Sequence, residues 1–88
     1  SKIVVAFREY LWEYITARQW HRTQEFVPAR DGWFTMVVHL ADQTEFIPWV
    51  LAFGKEARVL EPKSLRATIA GELTEAARHY EADGKAKR

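Results

Sequence analysis

The sequence lacks several features that common classes of protein require. It contains no cysteine, which excludes disulfide bridges and thiolate metal sites and permits a reducing compartment. No apolar run approaches the roughly 20 residues that span a bilayer, and the first residues lack the layout of a signal peptide. We therefore expect a cytoplasmic protein that makes no membrane contact. Because position 1 is a serine, we also expect the chain to be a piece of a longer protein.

The motifs of common catalytic and cofactor sites are also missing. His21, His39 and His79 are widely separated, so no pair has the short spacing of a zinc site. There is no Gly-x-Ser-x-Gly nucleophile motif, and the glycines are isolated, which excludes a glycine-rich phosphate loop. Glu72 and Glu75 have basic neighbours and fit a solvated helix face. We therefore expect no enzyme activity, no cofactor and no bound metal.

What the sequence does contain is enough apolar surface for one small domain. Hydrophobic residues make up 48% and aromatic residues 14% of 88 residues, which predicts a packed core. The formal net charge of +1 is too near neutral for bulk binding to DNA. Any contact with nucleic acid would depend on a local patch. We predict one domain over residues 1–83 and a polar tail over residues 84–88.

The periodicity of apolar residues predicts the order β-α-β-β-α-β followed by a further helix. Short apolar or alternating runs predict four strands, at residues 3–7, 23–29, 33–40 and 57–60. Helical spacing predicts three helices, at residues 9–18, at 44–53 and from Pro62 onward. Asp31-Gly32 predicts a tight hairpin turn. The predicted fold class is therefore α+β, a ferredoxin-like plan with an antiparallel four-stranded sheet and an additional C-terminal helix.

Apolar spacing also predicts the buried face of each helix. The first helix has one such face, formed by Tyr10, Leu11, Tyr14 and Ile15, and Trp12 falls off it as an interface signal. The second follows a capping-box pattern at Asp42–Glu45, and Pro48 requires that it begin late or kink. Its core residues are Phe46, Trp49, Val50 and Phe53. The terminal helix is expected to bury a long stripe, formed by Leu65, Ile69, Leu73, Ala76, Ala77 and Tyr80.

One candidate site is the sheet face that points away from the helices. Strand alternation places four residues there, namely Trp33, Thr35, Val37 and His39. RNA-binding ferredoxin-like domains stack bases on aromatics at such positions, but this strand does not match their signature of a basic residue, glycines and several aromatics. Because Trp and Val make this face apolar, we expect it to be buried against another domain, a second subunit or the terminal helix. Trp33 and His39 remain the candidates if the face is open.

The second candidate site is the polar stretch ARQWHRTQEF, between the first helix and the second strand. Arg18 lies in the last turn of the predicted helix, where the helix dipole favours a cation. No such structural role explains His21, Arg22 or Gln24. Arginine can bind a phosphate or carboxylate bidentately, and glutamine both donates and accepts. Trp20 can stack a planar group or cap the core. The residue types alone leave open a ligand or partner site and a simple polar corner.

Five short motifs run in order across nearly the whole chain: IVVAF, ARQWHRTQ, RDGWF, FIPWVLAFG and ARVLEPKSLR. This ordered set resembles the C-terminal extension, or WCX region, of WYL-domain bacterial transcriptional regulators. The recurring pieces are R-x-W-H-x-T-Q, W-V-L-x-F-G and V-L-E-P-x-x-L-R. Arg18, Trp20, His21 and Gln24 match the family's motif. Arg22 stands where the family often has proline, so the resemblance supports it less.

The resemblance implies a ferredoxin-like domain that follows a DNA-binding winged helix-turn-helix and a WYL domain. It implies a role in dimerisation and in closing over an effector site, with nucleic acid or nucleotide as the effector class. The partner would be the WYL domain of the same chain or of a second subunit, in a homodimer. The four residues that match the motif become the candidates for effector contacts. Specific DNA binding would belong to the full-length regulator, since the DNA-reading portion is not in this chain.

Two other functions share the same fold plan. An amino-acid-sensing domain of the ACT type would need a glycine-rich turn after the first strand, where this chain has Phe7-Arg8-Glu9. A stand-alone binder of single-stranded nucleic acid would use Trp33 and His39 on the sheet face. Both stay open as alternatives to the regulatory domain.

Overall fold

The computed structural model describes residues 1–86, with side chains through Glu81. It has four strands: β1 (Lys2–Arg8), β2 (Glu25–Arg30), β3 (Trp33–His39) and β4 (Ala57–Glu61). It has three α-helices: α1 (Trp12–Thr16), α2 (Phe46–Leu51) and α3 (Lys63–Ala86). Short 3-10 turns lie at Glu9–Leu11 and Gly54–Glu56. Within the described residues, no helix is both long enough and apolar enough to cross a bilayer.

The strands form one four-stranded sheet in the order β2-β3-β1-β4. Every neighbouring pair is antiparallel. β2 and β3 are joined by the predicted tight turn, in which Asp31 has a φ of 58° and Gly32 a φ of 86°. Two consecutive residues with positive φ suit the twist of a hairpin. The predicted α+β class, with an antiparallel four-stranded sheet and a C-terminal helix, is confirmed.

The core lies between one face of this sheet and the helices. Alternate residues of β1 and β3 are fully buried there: Ile3, Val5, Phe7, Phe34, Met36 and Val38. Side chains on alternate positions of a strand share one face, so the alternation seen in the sequence places this set correctly. The helices contribute Ile15, Val50, Leu65 and Ile69. The opposite sheet face is half-buried along β3, where Trp33, Thr35 and Val37 lie.

The helical segment after β1 differs in phase from the prediction. It begins with a 3-10 turn, which has about 3.0 residues per turn rather than 3.6, so the apolar face rotates. Ile15 is fully buried, but Tyr10 is 70% exposed and Tyr14 is 47% exposed. The prediction that both tyrosines are buried is wrong. Trp12 packs its edge against Phe34, with ring centroids 5.0 Å apart, and so belongs partly to the edge of the core.

The second helix starts late, as Pro48 requires. Pro48 is the third residue of α2, within the first turn, where a backbone N–H has no helical acceptor to lose. The predicted capping box does not form. Asp42 Oδ1 instead accepts hydrogen bonds from the Thr44 backbone N–H at 2.9 Å and the Thr44 hydroxyl at 2.8 Å. This local turn closes before the helix and leaves its first N–H groups to other acceptors.

α3 is buried only at its beginning. Leu65 and Ile69 pack into the core, whereas Leu73 is 41% exposed and Tyr80 is 79% exposed. The prediction of a buried stripe along the whole helix is therefore wrong, because the helix runs past the edge of the sheet. The helix also extends to Ala86, into the segment predicted as a polar tail. Residues 87 and 88 of that tail lie outside the described residues.

A pair of valine truncations tests this division between core and edge. Val5→Ala, at a fully buried position of a central strand, should lower the free energy of unfolding by about 2 kcal/mol, through lost burial and the cavity left behind. Val27→Ala is the matched control, because Val27 lies on the edge strand and is 52% exposed. Urea denaturation measures both. Equal losses in the two variants would contradict the assigned core.

Candidate ligand-binding corner

The loop between α1 and β2, residues 17–24, is here called the corner, and the Gln24 side chain holds it together. Gln24 Oε1 accepts hydrogen bonds from the backbone N–H of Trp20 at 2.7 Å and of His21 at 3.1 Å. Gln24 Nε2 donates to the carbonyl of Arg18 at 2.8 Å. One amide therefore satisfies three backbone groups that no regular ladder reaches. No feature of the residue pattern predicts this structural role.

Trp20 joins the corner to the core. Its indole Nε1 donates to the Ile15 carbonyl at 2.8 Å, which satisfies an acceptor at the end of α1. Its ring lies against Tyr14 on one side of the corner, at 5.9 Å, and against Trp49 of α2, at 5.0 Å. Trp20 is half-buried. It therefore supports the corner and leaves part of its aromatic ring exposed to solvent.

His21 is oriented by Thr23. The Thr23 backbone N–H donates to His21 Nδ1 at 3.2 Å, and the Thr23 hydroxyl lies 2.8 Å from the same nitrogen. Because Nδ1 accepts a backbone hydrogen bond, the neutral ring carries its proton on Nε2. The Thr23 hydroxyl also accepts from the His39 backbone N–H at 3.0 Å. Thr23, which sequence reasoning passed over, thus attaches the corner to the end of β3.

Arg18 and Arg22 are both exposed, but only Arg18 is oriented by its neighbours. Its guanidinium carbon lies 4.1 Å from the Tyr14 ring centroid, and Nη1 donates to the Tyr14 carbonyl at 3.1 Å. That carbonyl belongs to the last turn of α1, where a cation is favoured. The prediction that Arg18 itself lies in that turn is wrong, because α1 ends at Thr16 and Arg18 follows it in the loop. Arg22 makes no side-chain hydrogen bond or ion pair within the described residues.

A cavity of about 270 Å³ opens beside the corner. It lies between the corner, the end of β3 and the beginning of α2. The lining residues are mostly aromatic or aliphatic, with two carboxylates and a histidine among them: Trp20, His21, Val38, Leu40, Asp42, Glu45, Phe46 and Trp49. The corner and α2 are far apart in sequence, so only the fold reveals this combination. Gln24 and Arg18 are not among the lining residues.

Asp42 is a fixed negative charge at this cavity. The two hydrogen bonds from Thr44, first the backbone N–H and then the hydroxyl, hold the pKa of the Asp42 carboxyl below its usual value. Both bonds go to Oδ1, so Oδ2 accepts none from the described part of the chain. Glu45 also lines the cavity and is exposed. Among the described side chains, the charged groups in the lining are these two carboxylates.

The open sheet face has its own charged cluster around Trp33. The guanidinium carbons of Arg8 and Arg58 lie 4.3 and 4.8 Å from the Trp33 ring centroid, close enough for cation–π attraction. Arg30 is the register partner of Trp33 on β2. Trp33 and His39, predicted together as the face's candidates, lie at opposite ends of β3. The cluster therefore includes Trp33 but not His39, which meets the corner through Thr23.

Four predicted site residues thus meet in one corner, namely Arg18, Trp20, His21 and Gln24, with Arg22 beside them. A model of the WCX domain family matches residues 1–77 of this sequence. The chain belongs to the WCX family. This bears out the resemblance to the C-terminal region of WYL regulators that the ordered motifs carry. A search of curated proteins found no match. Among the described residues of this WCX domain, no group of three or more metal-ligating side chains could hold an ion.

Removal of the Gln24 amide tests the structural role of the corner. Gln24→Ala leaves the amides of Trp20 and His21 without their acceptor, so we expect a loss of about 2 kcal/mol in unfolding free energy and faster hydrogen exchange at both amides. Gln19→Ala is the control, because Gln19 is an exposed glutamine in the same corner. Hydrogen-exchange NMR reads out both variants. Unchanged protection in Gln24→Ala would contradict the hydrogen-bond assignment.

Proposed function

We propose that this WCX domain is a non-catalytic regulatory module of a cytoplasmic WYL-type transcriptional regulator. In this role it contributes to dimer assembly and to sensing a nucleic acid or nucleotide effector together with a WYL domain. The family match supports the WYL context. DNA binding belongs to other portions of the full-length regulator.

We also propose the ferredoxin-like plan, since β1 and β2 flank β3 while β3 and β4 flank β1, as two interleaved β-α-β units require.

The observation that carries the effector proposal is the exposed, oriented guanidinium of Arg18. The guanidinium stacks on the Tyr14 ring and donates one hydrogen bond to the Tyr14 carbonyl. Its other N–H groups can therefore donate to an incoming anion. Stacked arginine loses less conformational freedom on binding than a mobile one. In this mechanism Arg18 pairs with a phosphate and His21 Nε2 donates a hydrogen bond. Gln24 orders the corner and does not contact the ligand, because its side-chain amide is already hydrogen-bonded to three backbone groups.

Oligonucleotide titration tests this assignment. We expect a short single-stranded DNA to bind this chain with an affinity that falls as salt rises, because phosphate contacts release counterions. Arg18→Ala should weaken binding about fivefold, as the loss of one screened ion contact of about 1 kcal/mol predicts. Arg66→Ala, which removes an exposed arginine of α3, is the control and should change little. Fluorescence anisotropy measures each affinity.

A second candidate is single-stranded nucleic acid bound on the open sheet face. The observation in its favour is the pair of guanidiniums stacked on Trp33, which offers phosphate-binding groups beside an aromatic ring. A base could stack on Trp33 only if one guanidinium moved aside. In the same titration, binding that survives Arg18→Ala and is lost in Trp33→Ala would favour this candidate. Binding that neither substitution changes would contradict both.

For assembly, we propose that a second copy of the chain covers the exposed stripe of α3, defined by Leu73, Ala76, Ala77 and Tyr80. The stripe continues the buried positions Leu65 and Ile69. Glu75 and Arg78, which form an ion pair at 3.4 Å, give the helix charges of both signs outside the stripe. An antiparallel pair of such helices is self-complementary, as a two-fold interface requires. An apolar stripe of this kind favours a partner over water.

A charge placed in the stripe tests the dimer. Sedimentation equilibrium should give a dimer for the unmodified chain, and Leu73→Glu should shift it to monomer, because the interface would bury an unpaired carboxylate. Thr74→Glu puts the same charge one residue away, off the stripe, and should leave the dimer intact. A monomer at all concentrations for the unmodified chain, or equal loss in both variants, would contradict the interface.

A further inference from the structure

The cavity beside the corner has aromatic walls. Trp49 contacts both other aromatic rings of the lining, with ring centroids 5.0 Å from Trp20 and 5.2 Å from Phe46. The rings are tilted by 51° and 43° respectively, so they form a curved wall rather than a flat stack. The volume of about 270 Å³ is slightly below the range of roughly 300–1,000 Å³ that holds drug-sized ligands. The shape suits one small planar or alkyl group.

The charge of the cavity is negative. Asp42 and Glu45 line it, and no lysine or arginine among the residues with described side chains does so. Asp42 has a fixed orientation through Thr44, which leaves Oδ2 for a ligand donor. Two carboxylates oppose an anion, and aromatic faces carry a negative quadrupole that attracts a cation. The cavity therefore favours a cation, whereas the Arg18 guanidinium, which stacks on Tyr14 outside the cavity, favours an anion.

From these two features we propose that the cavity binds a guanidinium on an alkyl stem. The planar cation would stack on the indole rings of Trp20 and Trp49 and donate hydrogen bonds to Asp42 and Glu45, which matches both the stacking and the donor pattern of a guanidinium. The alkyl stem would lie along the apolar part of the wall. The group can come from a free small molecule or from an arginine side chain of another protein segment. The proposal does not depend on the anionic effector.

Indole NMR signals provide the test, since the four tryptophans divide into two pairs. Trp20 and Trp49 line the cavity, whereas Trp12 and Trp33 do not and act as internal controls. Titration of the chain with agmatine should give saturable shifts of the Trp20 and Trp49 indole N–H signals and leave the other two unchanged. An end-blocked Gly-Arg-Gly peptide forms the second arm. Stronger binding of agmatine indicates a free ligand, and stronger binding of the peptide indicates an arginine side chain.

Neutralising Asp42 and Glu45 tests whether their negative charges contribute to agmatine affinity. Asp42→Asn keeps an oxygen acceptor for Thr44 and removes the charge, and Glu45→Gln is its counterpart on the other wall. Each should weaken agmatine binding about fivefold, the factor expected for one screened contact between unit charges. Glu13→Gln, at an exposed carboxylate of α1 outside the cavity, is the matched control and should leave the affinity unchanged.

Three results would overturn the proposal. One is the absence of saturable indole shifts with both agmatine and the peptide. Another is an affinity for agmatine that changes less than twofold when both carboxylates are neutralised. The third is tighter binding of adenosine monophosphate than of agmatine at Trp20 and Trp49, which would assign the cavity to the anionic effector instead. The effector experiment measures oligonucleotide affinity and its dependence on Arg18, whereas the cavity experiment measures agmatine binding at Trp20 and Trp49. A negative result in one therefore does not imply a negative result in the other.

Discussion

Packing around the Phe7 ring is the constraint on which the sheet, the second helix and the corner all depend. Phe7 is fully buried at the end of β1 and contacts Phe34 on the neighbouring strand and Trp49 and Phe53 near α2. Trp49 then carries the contact outward to Trp20 in the corner. Such offset and edge-to-face pairs fix ring orientation as well as burying area. The surface rings at the corner are therefore held in place by the core, and a ligand that bound them would lose little conformational freedom of the protein.

The same packing separates two surfaces of opposite charge. Trp20 contacts Tyr14, which carries the Arg18 guanidinium, and also contacts Trp49 in the anionic cavity. The corner backbone is fixed between them by Gln24. Anionic and cationic groups would thus meet the domain on adjacent but different surfaces. An acidic cavity beside an exposed arginine also limits where a phosphate can lie, because the carboxylates repel it.

The order of the elements and the buried strand faces were predictable because they follow from spacing. Alternation fixed the inward set of β3, and the positive φ at Asp31-Gly32 followed from turn chemistry. The phase of the first helix was not predictable, since a 3-10 turn shifts the face of Tyr10 and Tyr14 without a clear signal. The exposed end of α3 also follows from tertiary geometry, because helical spacing gives a stripe and does not show where the sheet ends.

The candidate site divides in the same way. The residue types of the corner suggested a site, and the fold brings those residues together. Yet Gln24, whose amide suggested a ligand contact, is hydrogen-bonded to backbone groups of the corner. Thr23 and Asp42 accept backbone hydrogen bonds from His39 and Thr44 that no spacing rule indicates. Local bonds between a side chain and nearby backbone are set by the exact path of a loop, which composition does not encode. Glu45 and His21 line the same cavity only because α2 returns beside the corner. A polar motif in sequence therefore locates a surface, whereas its ligand chemistry depends on what the fold places opposite it.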